Sequence, residues 1–152
     1  MNPFNLELAR TADKIVKEDT LLSLKPGQNL LICADTSSDP SVIEAVSTAA
    51  YTTGVRVAVI QFAAESFEKE TVPKPVEAAM MSADTVLELT SGSLARGLRD
   101  RIMKAGIRCV CLGGHHYFAE AETLIRVVGR VKYKSLVELE TLLTVSPGMI
   151  IP

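Results

Sequence analysis

The sequence predicts an α/β fold in three layers: a four-stranded, mostly parallel sheet flanked by helices, of the Rossmann-like type. Four short apolar runs, each typical of a strand covered on both faces, occupy 29–34, 55–62, 85–89 and 107–112. Segments of helical length separate these runs, and such alternation implies parallel strands joined by right-handed crossovers. The expected strand order is 2-1-3-4, which places a topological switch between the first and third strands.

The chain opens on a predicted helix over 6–22. Its apolar residues Leu8, Ala12, Ile15 and Val16 recur at helical spacing. A type II turn is expected next, in Lys25-Pro26-Gly27-Gln28, because proline fixes φ and glycine accepts a positive φ. The first strand follows this turn directly.

The second helix carries clear start and stop signals. Asp39 is a favourable N-cap residue, and Pro40 suits the first helical position. The helix is expected to run to about Thr53, where Gly54 supplies the C-terminal stop. The second strand then begins, and we expect it to be buried like the others.

The rest of the chain continues the alternation. A polar loop is predicted over 63–74, then a short helix over 75–82 before the third strand. A further helix over 94–105 ends at Gly106 and leads into the fourth strand. Two more helices are predicted near the end of the chain, over 118–128 and 135–145.

Length and composition narrow the class of protein. The 152 residues suit one domain, 1–152. The net charge is −2 with both signs interspersed, which argues against a nucleic-acid or membrane partner. The sequence has no tryptophan to stack on bases, which also argues against a nucleic-acid partner. The N-terminus lacks a basic start and an apolar signal core, and no apolar run is as long as a membrane span. A cytoplasmic location is therefore expected.

Three cysteines, Cys33, Cys109 and Cys111, all lie in apolar runs. Their number is odd and their spacing fits no zinc-binding pattern. Cys109 and Cys111 are two residues apart, so on a strand they would point to the same face. We interpret all three as reduced thiols of the core.

The candidate site lies at the carboxyl ends of the first and third strands, where open α/β sheets collect ligands. The two loops there are rich in small hydroxyl residues, and we predict that five of them face a ligand or partner: Thr36, Ser37, Ser38, Ser91 and Ser93. Two alternatives stay open. Ser93 could cap a helix instead of helping to hold an anion, and every one of these hydroxyls could be used in a cap or turn.

No catalytic or metal-binding residue is predicted. The only histidines, His115 and His116, follow the fourth strand, and metal binding would need partners such as Asp35, Glu120 or Glu122 that nothing in the sequence brings close. Two exposed imidazoles in a turn are the simpler interpretation. The sequence contains no glycine-rich nucleotide motif, and Asp35 and Asp39 in the first loop would repel phosphate.

Several of these segments together resemble a known family. They are Leu24-Lys25-Pro26-Gly27-Gln28-Asn29-Leu30-Leu31-Ile32, Asp39-Pro40 with the helix ending at Gly54, Ala83-Asp84-Thr85-Val86, Thr90-Ser91-Gly92-Ser93-Leu94, and Ala105-Gly106-Ile107-Arg108. The sequence resembles the N-terminal domain of the thermophilic metallo-aminopeptidases of the aminopeptidase T type. It is also similar to their relatives, the 2,5-dihydroxypyridine 5,6-dioxygenases. The resemblance covers about residues 8–145.

This resemblance implies a non-catalytic role. In the family the chain is about twice as long, and Glu, His, Tyr and Asp residues of the C-terminal domain bind a divalent metal. None of those positions exists here, so we expect no cofactor in this chain. The N-terminal domain of the family walls the substrate cavity and takes part in dimer contacts, so the expected partners are a C-terminal domain or a second copy. The alternative is a free-standing α/β module that binds a small ligand or a protein partner.

Overall fold

The computed structural model describes residues 3–17, 22, 24–64, 71–91 and 94–112. Helices and strands alternate along these ranges, and their bounds are α1 Pro3–Lys17, β1 Asn29–Asp35, α2 Pro40–Tyr51, β2 Arg56–Phe62, α3 Lys74–Met81, β3 Thr85–Glu88, α4 Arg96–Lys104 and β4 Arg108–Cys111. The helices predicted over 118–128 and 135–145 lie outside the described residues, as do His115 and His116.

The four strands form one parallel sheet in the order β2-β1-β3-β4, so the predicted fold class and strand order are confirmed. Strand β1 is central, with Leu30 opposite Val57 of β2 and opposite Thr85 of β3. The switch between β1 and β3 therefore lies where the sequence pattern predicted it.

Helices cover both faces of the sheet, which makes three layers. On one face, α1 and α2 pack on side chains such as Leu30 and Ile32 of β1. On the other face, α3 and α4 pack on Leu31 and Cys33 of the same strand. Each fully buried aliphatic side chain contributes about 1.5–3 kcal/mol, so this alternation is what holds the layers together.

The turn before β1 and the start of α2 form as their residues predict. Gly27 has φ 85°, and the Gln28 N–H donates to the Lys25 carbonyl at 3.1 Å, which closes the turn. Asp39 caps α2, because its carboxylate accepts from the Ser41 N–H at 2.9 Å, and Pro40 is the first helical residue.

Three helices have boundaries that differ from the prediction by two residues or more. Helix α1 begins at Pro3, a residue suited to a first turn, and ends at Lys17, while Leu22 lies buried in a turn. Helix α2 ends at Tyr51, two residues before Thr53. Helix α4 begins at Arg96 rather than 94, because Leu94 packs against the core before the helix starts.

The prediction that β2 is a buried strand is wrong. Val59 in its middle is 46% exposed, and Ala58 and Gln61 are also exposed. Strand β2 is the outermost strand on its side of the described sheet, so helices that cover β1 on both faces cover β2 only in part. Separately, none of the helices in the described ranges has both the length and the apolarity to cross a bilayer.

Candidate functional site

The two loops that follow β1 and β3 meet at the carboxyl edge of the sheet, and Asp35 joins them. This residue ends β1 and is only 3% exposed. Its Oδ2 accepts from the N–H of Ser91 at 2.8 Å and from the Ser91 hydroxyl at 2.7 Å. The sequence pattern placed these loops side by side, and the Asp35 carboxylate connects them directly.

The other carboxylate oxygen of Asp35 organises its own loop. Oδ1 accepts from the Ser37 N–H at 2.9 Å and lies 3.2 Å from the Ser38 hydroxyl. Both oxygens of this buried carboxylate are therefore used by hydrogen-bond donors of the protein. Asp35 therefore acts as a structural connector between the two loops.

Ser38 makes a second link between the loops. Its hydroxyl is 5% exposed, accepts from the Asp35 N–H at 2.9 Å, and lies 2.8 Å from the carbonyl oxygen of Leu89. A serine hydroxyl carries one proton, so the shorter distance favours donation to Leu89 over Asp35 Oδ1. The base of the crevice between β1 and β3 is thus filled by a polar network.

Thr36 and Ser37 form the exposed rim above this network. The Thr36 N–H donates to the Phe62 carbonyl at 2.9 Å, and the Thr36 Oγ1 accepts from the Ala64 N–H at 3.0 Å, which ties the loop to the end of β2. Of the five predicted site residues, Thr36 and Ser37 face solvent, whereas Ser38 and Ser91 bond to the network. Ser93 lies outside the described residues, and Ala95 occupies the N-cap position of α4.

Glu88 is a functional candidate that the sequence interpretation missed. It ends β3 and is 0% exposed. Its Oε1 accepts from the Thr90 N–H at 2.8 Å and from the Thr90 hydroxyl. The available signal was a single carboxylate within the apolar run 85–89, because a charge in such a run has to be hydrogen-bonded when the strand is buried.

The three cysteines gather around Glu88. Cys33 lies opposite Glu88 on one side and Cys111 lies opposite it on the other. Cys33 and Cys109 are buried, Cys111 is half-buried, and all three are free thiols, as predicted. Sγ of Cys109 and Sγ of Cys111 are 3.9 Å apart.

This surrounding favours the protonated form of Cys33 and Cys111. Burial raises the pKa of Cys33 to about 12, and the nearby Glu88 carboxylate and Cys109 add to that rise. The pKa of Cys111 is also raised, chiefly by its hydrogen bond with Cys109, then by burial and by Glu88, although Arg99 opposes the rise. Because thiolates are the nucleophilic and metal-binding form, Cys33 and Cys111 serve as packing residues near neutral pH.

The carboxyl edge offers hydroxyl and carboxylate groups. In the part of the chain that the structure describes, no three His, Cys, Asp or Glu side chains converge in a way that could hold a metal ion. What the edge offers is a rigid base with Thr36 and Ser37 projecting above it. A separate pocket with a volume of about 510 Å³ lies between α1 and α2. It is lined mostly by small side chains such as Ala9, Ala45 and Thr48.

Comparisons with known proteins place this geometry in context. No protein-family profile matches the sequence, and no curated protein matches it either. Among solved structures, the chain is similar to 2,5-dihydroxypyridine dioxygenase from Pseudomonas putida KT2440, with a TM-score of 0.63 and 18% identity over 82% of this chain and 37% of that chain.

Two further structures overlap more loosely. One is a transcription repressor of the LacI family from Corynebacterium glutamicum, with a TM-score of 0.38 and 14% identity over 67% of this chain and 36% of that chain. The other is the A-PCP didomain of a carboxylic acid reductase from Segniliparus rugosus, with a TM-score of 0.45 and 12% identity over 87% of this chain and 20% of that chain. This chain spans well under half the length of the dioxygenase, and what it shares with that enzyme is the fold.

Proposed function

We propose that this chain is the N-terminal, non-catalytic half of a metal-dependent enzyme, either a ring-cleaving dioxygenase or an aminopeptidase-like hydrolase. In this role it walls the substrate cavity. The observation that carries the proposal is the similarity to the dioxygenase, which extends over 82% of this chain but only 37% of the enzyme. We assign the catalytic chemistry to the remaining part of such an enzyme.

The residues that the structure describes do not fit the metal that the proposal implies. A catalytic zinc site uses three protein ligands, and a non-haem iron site uses two histidines and a carboxylate. The described residues bring no such set together. We therefore assign the metal to the other half of the enzyme and derive no catalytic step from this one.

The carboxyl edge suits the role of a cavity wall. The Asp35 network holds the two loops rigidly, because their buried donors and acceptors bond to each other rather than to solvent. A rigid wall costs little conformational entropy when substrate binds against it. In the proposed enzyme, Thr36 and Ser37 would line the cavity, exclude water and orient the substrate, while the metal-binding half would act on it.

The first test is the size and metal content of the protein isolated from its source cells. We expect a polypeptide much heavier than the 16.4 kDa of this chain, with a bound divalent metal. A native protein of 16.4 kDa would refute the proposal and favour a free-standing binding module. Intact-protein mass spectrometry and elemental analysis give both answers.

The second test uses variants of that longer enzyme. Ser37→Lys adds a long charged side chain to the proposed wall, so we expect kcat/KM to fall at least about tenfold, or about 1.4 kcal/mol, with metal content unchanged. Ser82→Lys is the matched control, because Ser82 is also exposed but lies just before β3, towards the amino ends of the strands. Two assays distinguish the proposed activities. Ring cleavage of 2,5-dihydroxypyridine reports a dioxygenase, and release of p-nitroaniline from aminoacyl substrates reports an aminopeptidase. Equal activity of both variants would show that the rim does not face the cavity.

A further inference from the structure

Thr36 is held in one place by hydrogen bonds to the end of β2. Its N–H donates to the Phe62 carbonyl at 2.9 Å, and its Oγ1 accepts from the Ala64 N–H at 3.0 Å. Gln61 adds a third link, because its Nε2 donates to the Asp35 carbonyl at 3.1 Å. A threonine side chain also has few allowed rotamers. The position of the Thr36 hydroxyl oxygen on the exposed rim is therefore fixed before any ligand binds.

The hydroxyl proton of Thr36 is available to a ligand. A threonine hydroxyl has one proton to donate and two lone pairs that accept, and the Ala64 N–H occupies one of those lone pairs. Within the described ranges, no group of the protein accepts the Thr36 proton. The rim thus presents a hydrogen-bond donor at a fixed position, and a bound molecule can supply the acceptor.

The charges of the same loop favour a neutral acceptor. Asp35 and Asp39 lie one and three residues from Thr36 in the chain, and their carboxylates disfavour another negative charge beside them. A phosphate or a carboxylate is therefore a poorer partner for this hydroxyl than a carbonyl oxygen, which accepts hydrogen bonds without carrying a net charge.

We propose that Thr36 is a specificity-determining residue whose hydroxyl donates a hydrogen bond to a carbonyl oxygen of the substrate. This inference rests on the proposed function, because it requires the carboxyl edge to face the substrate cavity. Both proposed chemistries supply such an oxygen, since a peptide has its amide carbonyl and 2,5-dihydroxypyridine has one in its pyridinone tautomer. A donor that is already in position loses little conformational entropy on binding, so Thr36 favours molecules that carry this oxygen.

Inhibition of the longer enzyme by paired probes tests this role. For an aminopeptidase the pair is leucinamide and 3-methylbutylamine, which lacks the carboxamide, and for a dioxygenase it is 2-pyridinone and pyridine. The ratio of the two inhibition constants measures the preference for the carbonyl. Thr36→Val keeps the shape of the side chain but removes the hydroxyl, so we expect this preference to fall about three- to tenfold, as for one hydrogen bond to a neutral acceptor. Thr36→Ser keeps the hydroxyl and should retain the preference to within about twofold.

The ratio separates recognition from a structural effect, because a disturbed loop weakens both probes of a pair alike. Thr52→Val is the matched control. Thr52 is also exposed, and its hydroxyl donates to the Ala49 carbonyl at 2.7 Å, but it lies at the C-terminal end of α2, away from the rim. This control should leave the ratio unchanged.

Three outcomes would contradict the inference. An unchanged ratio in an active Thr36→Val enzyme would overturn it and leave the proposed function intact. So would a carboxylate probe, leucine or pyridine-2-carboxylate, whose binding falls more in Thr36→Val than that of the matching carbonyl probe. A longer protein with neither activity would refute the proposed function and this inference together.

Discussion

At the residue scale, Asp35 shows how one buried carboxylate can hold two distant loops together. It accepts from Ser37 in its own loop and from Ser91, which is 56 residues away along the chain. A carboxylate can accept at both of these positions, because both of its oxygens are acceptors. An amide of the same shape has one acceptor oxygen and one NH₂ donor, so it leaves a donor of this network without an acceptor.

We therefore expect Asp35→Asn to lower the free energy of unfolding by about 1–3 kcal/mol, the cost of a buried donor that lacks its acceptor. Urea denaturation measures this change. Asp13→Asn is the matched control, since Asp13 forms an exposed ion pair with Lys17 and its loss costs about 0.5 kcal/mol or less. Equal losses in the two variants would show that the loops hold together without Asp35.

Cys33 gives a second prediction at this scale, concerning pH. Its pKa is raised to about 12 in the folded protein, mainly by burial, from an ordinary value of 9.0. Between these two values the unfolded chain has lost the thiol proton and the folded chain has kept it. Folding stability therefore falls as the pH rises through this window, by up to about 1.4 kcal/mol per pH unit, and is unaffected by this thiol below it.

Cys33→Ala removes this titrating group, so above pH 9 its stability should fall less steeply than that of the unaltered protein. The comparison concerns the slopes of unfolding free energy against pH, because the substitution also changes packing at every pH. All other residues are the same in both proteins, so the difference between the two slopes reports on Cys33. Parallel curves from pH 8 to pH 11 would contradict the assigned pKa.

At the scale of single elements, α2 depends on its N-terminal cap. Asp39 accepts from the Ser41 N–H, and helices α3 and α4 have no such side-chain cap. We expect Asp39→Ala to destabilise the protein by about 1 kcal/mol, since one orphan N–H of the first turn loses its acceptor. Thermal unfolding followed by circular dichroism measures this. Asp39→Asn keeps an acceptor oxygen and should stay within about 0.5 kcal/mol of the unaltered protein; a loss as large as that of Asp39→Ala would rule out capping as the cause.

Strand β2 shows that an apolar run predicts a strand but does not determine whether that strand is buried. The run 55–62 is as apolar as that of β1, and both form strands. Yet β1 is buried along nearly its whole length, whereas β2 is partly or fully exposed at every residue. Having one strand neighbour does not by itself expose a strand, because β4 at the opposite edge of the described sheet is mostly buried. The difference therefore comes from how much of each strand the packed side chains of the helices cover.

At the scale of the whole molecule, the sheet order separates two surfaces. The carboxyl edge between β1 and β3 carries the polar network and the rim proposed as a cavity wall. The outermost strand β2 carries the second surface, which is apolar and partly or fully exposed at every residue. Thr36 connects the two surfaces, because its N–H donates to the carbonyl of Phe62, the last residue of β2. The two surfaces therefore adjoin each other.

The sequence by itself determined the α/β class, the four strands, the turn at Gly27 and the cap at Asp39. Each of these depends on residues close together in the chain, where periodicity, φ preference and capping chemistry act directly. It also placed the two hydroxyl-rich loops side by side, since the topology of parallel sheets limits where such loops can lie.

Only the tertiary structure decided how those loops are used and which strand is exposed. The bonds from Ser91 to Asp35 and from Ser38 to Leu89 join residues more than fifty positions apart. Local patterns give no distance between such residues, so a hydroxyl that faces a ligand and one that bonds to a buried carboxylate look the same in sequence. Burial of β2 likewise depends on what packs beside it, and that is a property of the assembled sheet.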